Sequence, residues 1–69
     1  MSALIKRSFT LAGHRTSVAL EPEFWSVLES LALSEGRSLV ALIAALDSDR
    51  SAERPLASVL RVHALRRGH

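Results

Sequence analysis

The run Arg15-Thr-Ser-Val-Ala-Leu20, followed at once by Glu21-Pro-Glu-Phe-Trp25, narrows the possible folds of this chain more than any other feature. It reads as a short strand that ends where an amphipathic helix begins. Along the strand Thr16, Val18 and Leu20 point one way and Arg15, Ser17 and Ala19 the other, so one face is apolar and the other is polar. A single strand cannot satisfy its own ladder of N–H and C=O groups. With helices on its C-terminal side, it must find a partner, most simply the same strand of a second copy.

Glu21 and Glu23 complement the positive end of the helix dipole, and Pro22 suits a first helical turn, where its missing N–H is no loss. Phe24, Leu28, Leu31, Ala32 and Glu35 then follow the 3.6-residue period, with Trp25 beside them. The first helix is expected over 22–35, closed by Gly36 as a left-handed C-cap. Ser38 is a good N-cap for a second helix over 38–47, whose run Leu39–Leu46 is apolar nearly all round. In so small a chain such a helix is expected to bury itself against another subunit, with Val18, Leu20, Leu39, Leu42, Ile43 and Leu46 as the dimer core. A polar loop, Ser48–Arg54, precedes a third helix over 55–66 carrying Leu56, Val59, Leu60 and His63 on one face. The tail from Arg66 is expected to fray. Ahead of the strand at 14–20, residues 1–13 form an extended arm with loose alternation, Ile5, Phe9 and Leu11 being its inward candidates and Gly13 permitting a turn. The arm from Lys6 to Leu11 is expected to lie along the strand or pair with it.

With 69 residues and two Phe and one Trp as the aromatic complement, the chain has room for one small domain. Chains of this size usually need disulfides, a metal or oligomerisation. There is no cysteine, and His14, His63 and His69 have no metal-ligand spacing, so oligomerisation remains. The first residues are too short an apolar run for a secretory signal, and nothing approaches the ~18 apolar residues of a membrane span. The reading is of a soluble, cytoplasmic protein with no cofactor. No nucleophile stands beside a base, and no carboxylates pair near an apolar pocket, so an enzyme is not expected.

Formal net charge is +2, but the charges are segregated. Residues 1–20 carry Lys6, Arg7 and Arg15 with no acid; residues 21–36 carry four glutamates and no base; residues 55–69 carry Arg61, Arg66 and Arg67 with no acid. That asymmetry suits a protein presenting one face to a polyanion. A two-stranded ribbon fits the DNA major groove. Arg15 can bond bidentately to guanine, the Ser17 hydroxyl can donate or accept, and Ala19 offers a methyl to thymine. Ser38 at a helix start, with Arg37 beside it, is a ready phosphate site, and Lys6 and Arg7 add charge for phosphate contact.

In order and spacing, Arg15 to Leu46 resembles the ribbon-helix-helix superfamily, which includes the Arc and methionine repressors and many antitoxins. The run from Lys6 to Trp25 is similar to a bacterial subfamily of short ribbon-helix-helix proteins that also carry a segment like Leu56–Leu65. The resemblance implies a mainly α fold with a short β-strand, an intertwined homodimer with an intersubunit antiparallel β-ribbon, and a third, C-terminal helix. It also implies that Arg15, Ser17 and Ala19 meet bases and that Ser38 clamps a phosphate. Three departures stand out: Ala19 where a polar or basic residue is usual, Thr16 at an inward place that is usually aliphatic, and the added arm and third helix. The implied function is a sequence-specific DNA-binding repressor or autoregulator, with higher oligomers forming on DNA. The alternative is an antitoxin or adaptor that holds a protein partner through its third helix.

Overall fold

A computed structural model describes residues 3–68. Two strands, β1 (Ile5–Leu11) and β2 (His14–Leu20), are followed by three helices, α1 (Pro22–Ser34), α2 (Leu39–Asp49) and α3 (Leu56–Arg67). The strands pair antiparallel from Ile5 opposite Leu20 to Leu11 opposite His14. The partner demanded by β2 is therefore the arm of the same chain. The link is a two-residue turn in which Ala12 (φ 50°) and Gly13 (φ 81°) are both left-handed, as a type I′ hairpin turn requires. Gly13 adopts that conformation freely; Ala12 does so at a cost of about 1–2 kcal/mol.

Alternation sorts the hairpin into two faces. Phe9, Leu11, Val18 and Leu20 are buried on the inner face, with Thr16 half-buried opposite Phe9. Ile5 lies at the open end and stays exposed. Beneath that face Trp25, Leu28 and Ala32 of α1, Leu42 and Ile43 of α2, and Leu56, Leu60 and Ala64 of α3 complete one core. Phe9 and Trp25 meet with ring centroids 5.9 Å apart, and Trp25 Nε1 donates to Ile5 O at 2.8 Å, tying α1 to the start of β1.

Val18, Leu20, Leu42 and Ile43, assigned above to a dimer core, are thus buried by their own chain, while Leu39 and Leu46 pack partly buried against the same core. Their burial does not require a second copy. The cover comes from β1, which pairs with β2 and turns the expected inward residues Phe9 and Leu11 into the core, and from α3, whose expected face residues Leu56 and Leu60 are joined there by Ala64.

Glu21 alone joins β2 to α1, with Pro22 beginning the helix. At the far end Gly36 (φ 69°) lets the Arg37 N–H reach Ala32 O and the Gly36 N–H reach Leu33 O, each at 3.0 Å, which satisfies the last carbonyls and turns the chain into α2. Arg50 holds the α2–α3 loop, bonding Asp47 Oδ1 through Nε at 2.7 Å and Arg54 O through Nη1 at 2.9 Å. Arg61 anchors α3 to the start of α1: its Nε donates to Glu21 Oε1 at 3.0 Å and its guanidinium lies 5.8 Å from the Phe24 ring centroid. The C-terminal segment expected to fray instead continues α3 through Arg67, and Gly68 packs so closely that a Cβ there would lie 2.7 Å from Val27 Cγ1. His69 lies outside the described residues.

Candidate nucleic-acid interface

The outer face of the hairpin carries Lys6, Ser8 and Thr10 from β1 and Arg15, Ser17 and Ala19 from β2. The register sets Lys6 opposite Ala19, Ser8 opposite Ser17 and Thr10 opposite Arg15. Arg15 and Ser17 are exposed and Ala19 is half-buried. Neither strand contains an acidic residue. Ser8 and Ser17 share a hydrogen bond with their Oγ atoms 2.8 Å apart, and Arg15 Nη1 donates to Thr10 Oγ1 at 3.4 Å. The face is cationic and rich in hydroxyls, and it is stiffened from behind by the apolar residues that alternate with it. It can present donors to base edges and positive charge to phosphates.

Lys6 and Arg7, grouped by the sequence reading, lie on opposite faces. Lys6 is on the outer one. Arg7, opposite Val18, turns toward α1, where its guanidinium sits 5.1 Å from the Trp25 ring centroid and Nη1 bonds Glu29 Oε2 at 3.3 Å. Strand parity explains the split, because neighbouring residues of a strand face opposite ways.

The second cluster is the α1–α2 turn. Ser38 Oγ accepts from the Ala41 N–H at 3.1 Å and caps α2. Arg37 beside it pairs with Glu35, 2.6 Å from Nη2 to Oε1. His63 of α3 has its Nε2 buried with no hydrogen-bond partner among the described residues. Burial holds the His63 imidazole below its usual pKa; Arg67 and Arg37 push the same way and Glu35 opposes them. Charges of the α1–α2 turn therefore reach His63 on α3, a relation that sequence spacing does not reveal.

Three residues of this surface were missed from the sequence. Ser8 and Thr10 stand on the outer face, a placement that needs the hairpin register. Arg54 borders β2: a groove of about 620 Å³ runs along that strand's free edge, lined by Thr16 to Ala19 on one side and by Arg50 and Ala52 to Ala57 on the other. Nothing local to the polar loop signals that position. Among the described residues no cluster of three or more His, Cys, Asp or Glu side chains could hold a metal ion, and no helix is long and apolar enough to cross a membrane.

Comparison with known proteins agrees with this architecture. The chain is similar to the solved structure of an uncharacterized protein from Bordetella pertussis Tohama I, with 35% identity and a TM-score of 0.78, over 94% of this chain and 55% of that one. It thus spans about half the length of that protein. No curated protein matches it. The ribbon-helix-helix domain model matches residues 4–67, from before β1 to the end of α3. Domains of this kind generally dimerise and bind DNA. The chain belongs to the ribbon-helix-helix domain family.

Proposed function

We propose that this protein is a sequence-specific DNA-binding regulator of bacterial type, a repressor or autoregulator, that enters the major groove with the outer face of its strands. The observation that carries the reading is the acid-free outer face, with Arg15 and Ser17 exposed on a hairpin whose other side is locked into the core. Arg15, Ser17 and Ala19 are the base-contact candidates; Lys6, Arg37 and Ser38 are the phosphate candidates. Arg7, engaged with Trp25 and Glu29, contributes to the field around the face rather than to a direct contact.

A homodimer supplies the second half-site reader. The free edge of β2 opens onto the groove bordered by Arg50 to Ala57, and β2 of a second copy pairing there would form an intersubunit antiparallel ribbon at the centre of a four-stranded sheet, with strands about 4.7–4.9 Å apart. Leu39 and Leu46, which keep partial exposure, remain for contact between copies.

The test is selection of bound fragments from genomic DNA by the purified chain, followed by titration of operator and scrambled duplex. Enrichment of a palindrome bound by two chains is the expected result; recovery of no preferred sequence would remove the reading. A second reading, an adaptor or antitoxin that docks a protein on α3, draws on the exposure of Leu65 on α3 and Leu33 on α1, 59% and 81%. It gains ground if Leu65→Lys abolishes a cellular interaction while DNA binding is absent.

A further inference from the structure

Two of the three cross-strand pairs on the outer face are joined by side-chain hydrogen bonds, Ser8 to Ser17 and Thr10 to Arg15. Both bonds are exposed. A solvated hydroxyl exchanges one partner for water at little net gain, so these bonds do little for folding. Their consequence is orientation. A lone serine hydroxyl turns among three staggered wells and can present either proton or lone pair in each. Tied to Ser8, the Ser17 oxygen has one direction taken, and the pair spends one proton between the two oxygens and keeps one to offer outward. Arginine has five N–H donors; with one Nη1 hydrogen on Thr10, the others stay available in a plane whose direction is set.

We infer that Ser8 and Thr10 of β1 are positioning residues for DNA readout by Ser17 and Arg15 of β2. The inference rests on the DNA-reading assignment above and deepens it. Here the strand that meets the bases is aimed by its intrachain neighbour. Such pre-organisation removes conformational freedom before binding rather than during it. It also gives a chain with one strong base reader per strand a second source of specificity.

The experiment compares wild type with Ser8→Ala, Thr10→Val, Ser8→Thr, Arg15→Ala, Ser17→Ala and the Ser8→Ala/Ser17→Ala double variant. Full-length chains are titrated with the wild-type-selected operator and with a scrambled duplex. Ser8→Ala and Thr10→Val are each expected to lower the ratio of operator to scrambled affinity about three- to tenfold, the range of one typical net hydrogen bond. Scrambled-duplex affinity and melting temperature stay at wild-type values. Ser8→Thr, which keeps the hydroxyl, restores the ratio. The double variant loses no more than Ser17→Ala alone, because Ser8 acts only through Ser17. An unchanged ratio in Ser8→Ala and Thr10→Val, with Arg15→Ala reducing it, overturns the inference and leaves the DNA reading standing. Additive losses in the double variant also overturn it, since Ser8 would then touch DNA itself. If Arg15→Ala leaves the ratio unchanged, the DNA-reading assignment fails and the inference falls with it.

Discussion

The two faces of the hairpin are built from the same fourteen strand residues, yet they obey different chemistry. On the inner face Phe9, Leu11, Val18 and Leu20 lie against three helices, and Leu20 exposes none of its surface. On the outer face Lys6, Ser8, Thr10, Arg15 and Ser17 are exposed, and two pairs among the hydroxyls and Arg15 bond across the strands. The inner face holds the shape, and the outer face is free to vary at little cost to stability. Consecutive residues can therefore carry separate burdens, which is how a chain of 69 residues fits a buried core face and an exposed polar face into one ribbon.

The most severe test of this division places the same substitution at adjacent positions. Leu20→Asp puts an unpaired charge into the core at a cost of several kcal/mol and should leave the chain unfolded by circular dichroism. Ala19→Asp, one residue earlier and half-buried on the outer face, should keep the fold and lose DNA binding through repulsion of the phosphates. If both unfold, the outer face is part of the core after all.

Arg15→Ala should cost roughly 1–3 kcal/mol of discrimination at a G·C pair in each half-site, with the melting temperature unchanged. Arg37→Ala should instead weaken all sequences alike and reduce the slope of log affinity against log salt by about one unit per lost phosphate contact. Titration of both variants across a salt series separates base readout from phosphate contact; equal effects on both duplexes from Arg15→Ala would shift weight to the adaptor reading.

The turn that joins the faces offers a smaller effect of opposite sign. Ala12→Asn, which tolerates the left-handed conformation and creates the favoured Asn-Gly pair, should stabilise the hairpin by about 1 kcal/mol in urea denaturation. Smallest is the response to acid on the far side of the core. His63 is held below its ordinary value of 6.5 in the folded chain. The unfolded chain therefore takes up the proton first, and stability present above pH 6.5 should fall as the pH drops through the lowered folded value. His63→Gln should flatten that dependence in thermal melts from about pH 7 into the acid range. A wild-type melting temperature that does not fall below pH 6.5 would mean that His63 is solvated in the folded state.

Much of the fold can be read in the residues one by one. The faces of His14–Leu20 follow from alternation, the start of α1 from Pro22, and the turn into α2 from Gly36 and Ser38, whose φ of 69° and N-cap bond supply the mechanism. Legibility stops where position depends on a distant partner. Loose alternation in Leu4–Leu11 and the turn-permitting Gly13 point to an arm that lies along or pairs with the strand, as it does, but Ala12-Gly13 lacks the Asn or Asp that marks a tight hairpin, so its register is not legible. The places of Ser8 and Thr10 follow only from the hairpin register, and the contact of Arg7 with Trp25 and Glu29 only from the packing of α1 against β1.

Spacing along the chain is enough to settle which residues of each strand share a face, where the helices start to within a residue, and how charge is segregated, because these depend on period and on backbone conformations that single residues favour. Packing in three dimensions settles the rest: that β1 answers β2 within one chain, which side chains cover α2, and that Arg7 lies against Trp25 and Glu29. Alternation and helical period specify a face without specifying its occupant. Any apolar surface of the right shape can fill it, and the choice is made by the geometry of the links, here a two-residue turn that brings β1 onto β2 within the chain.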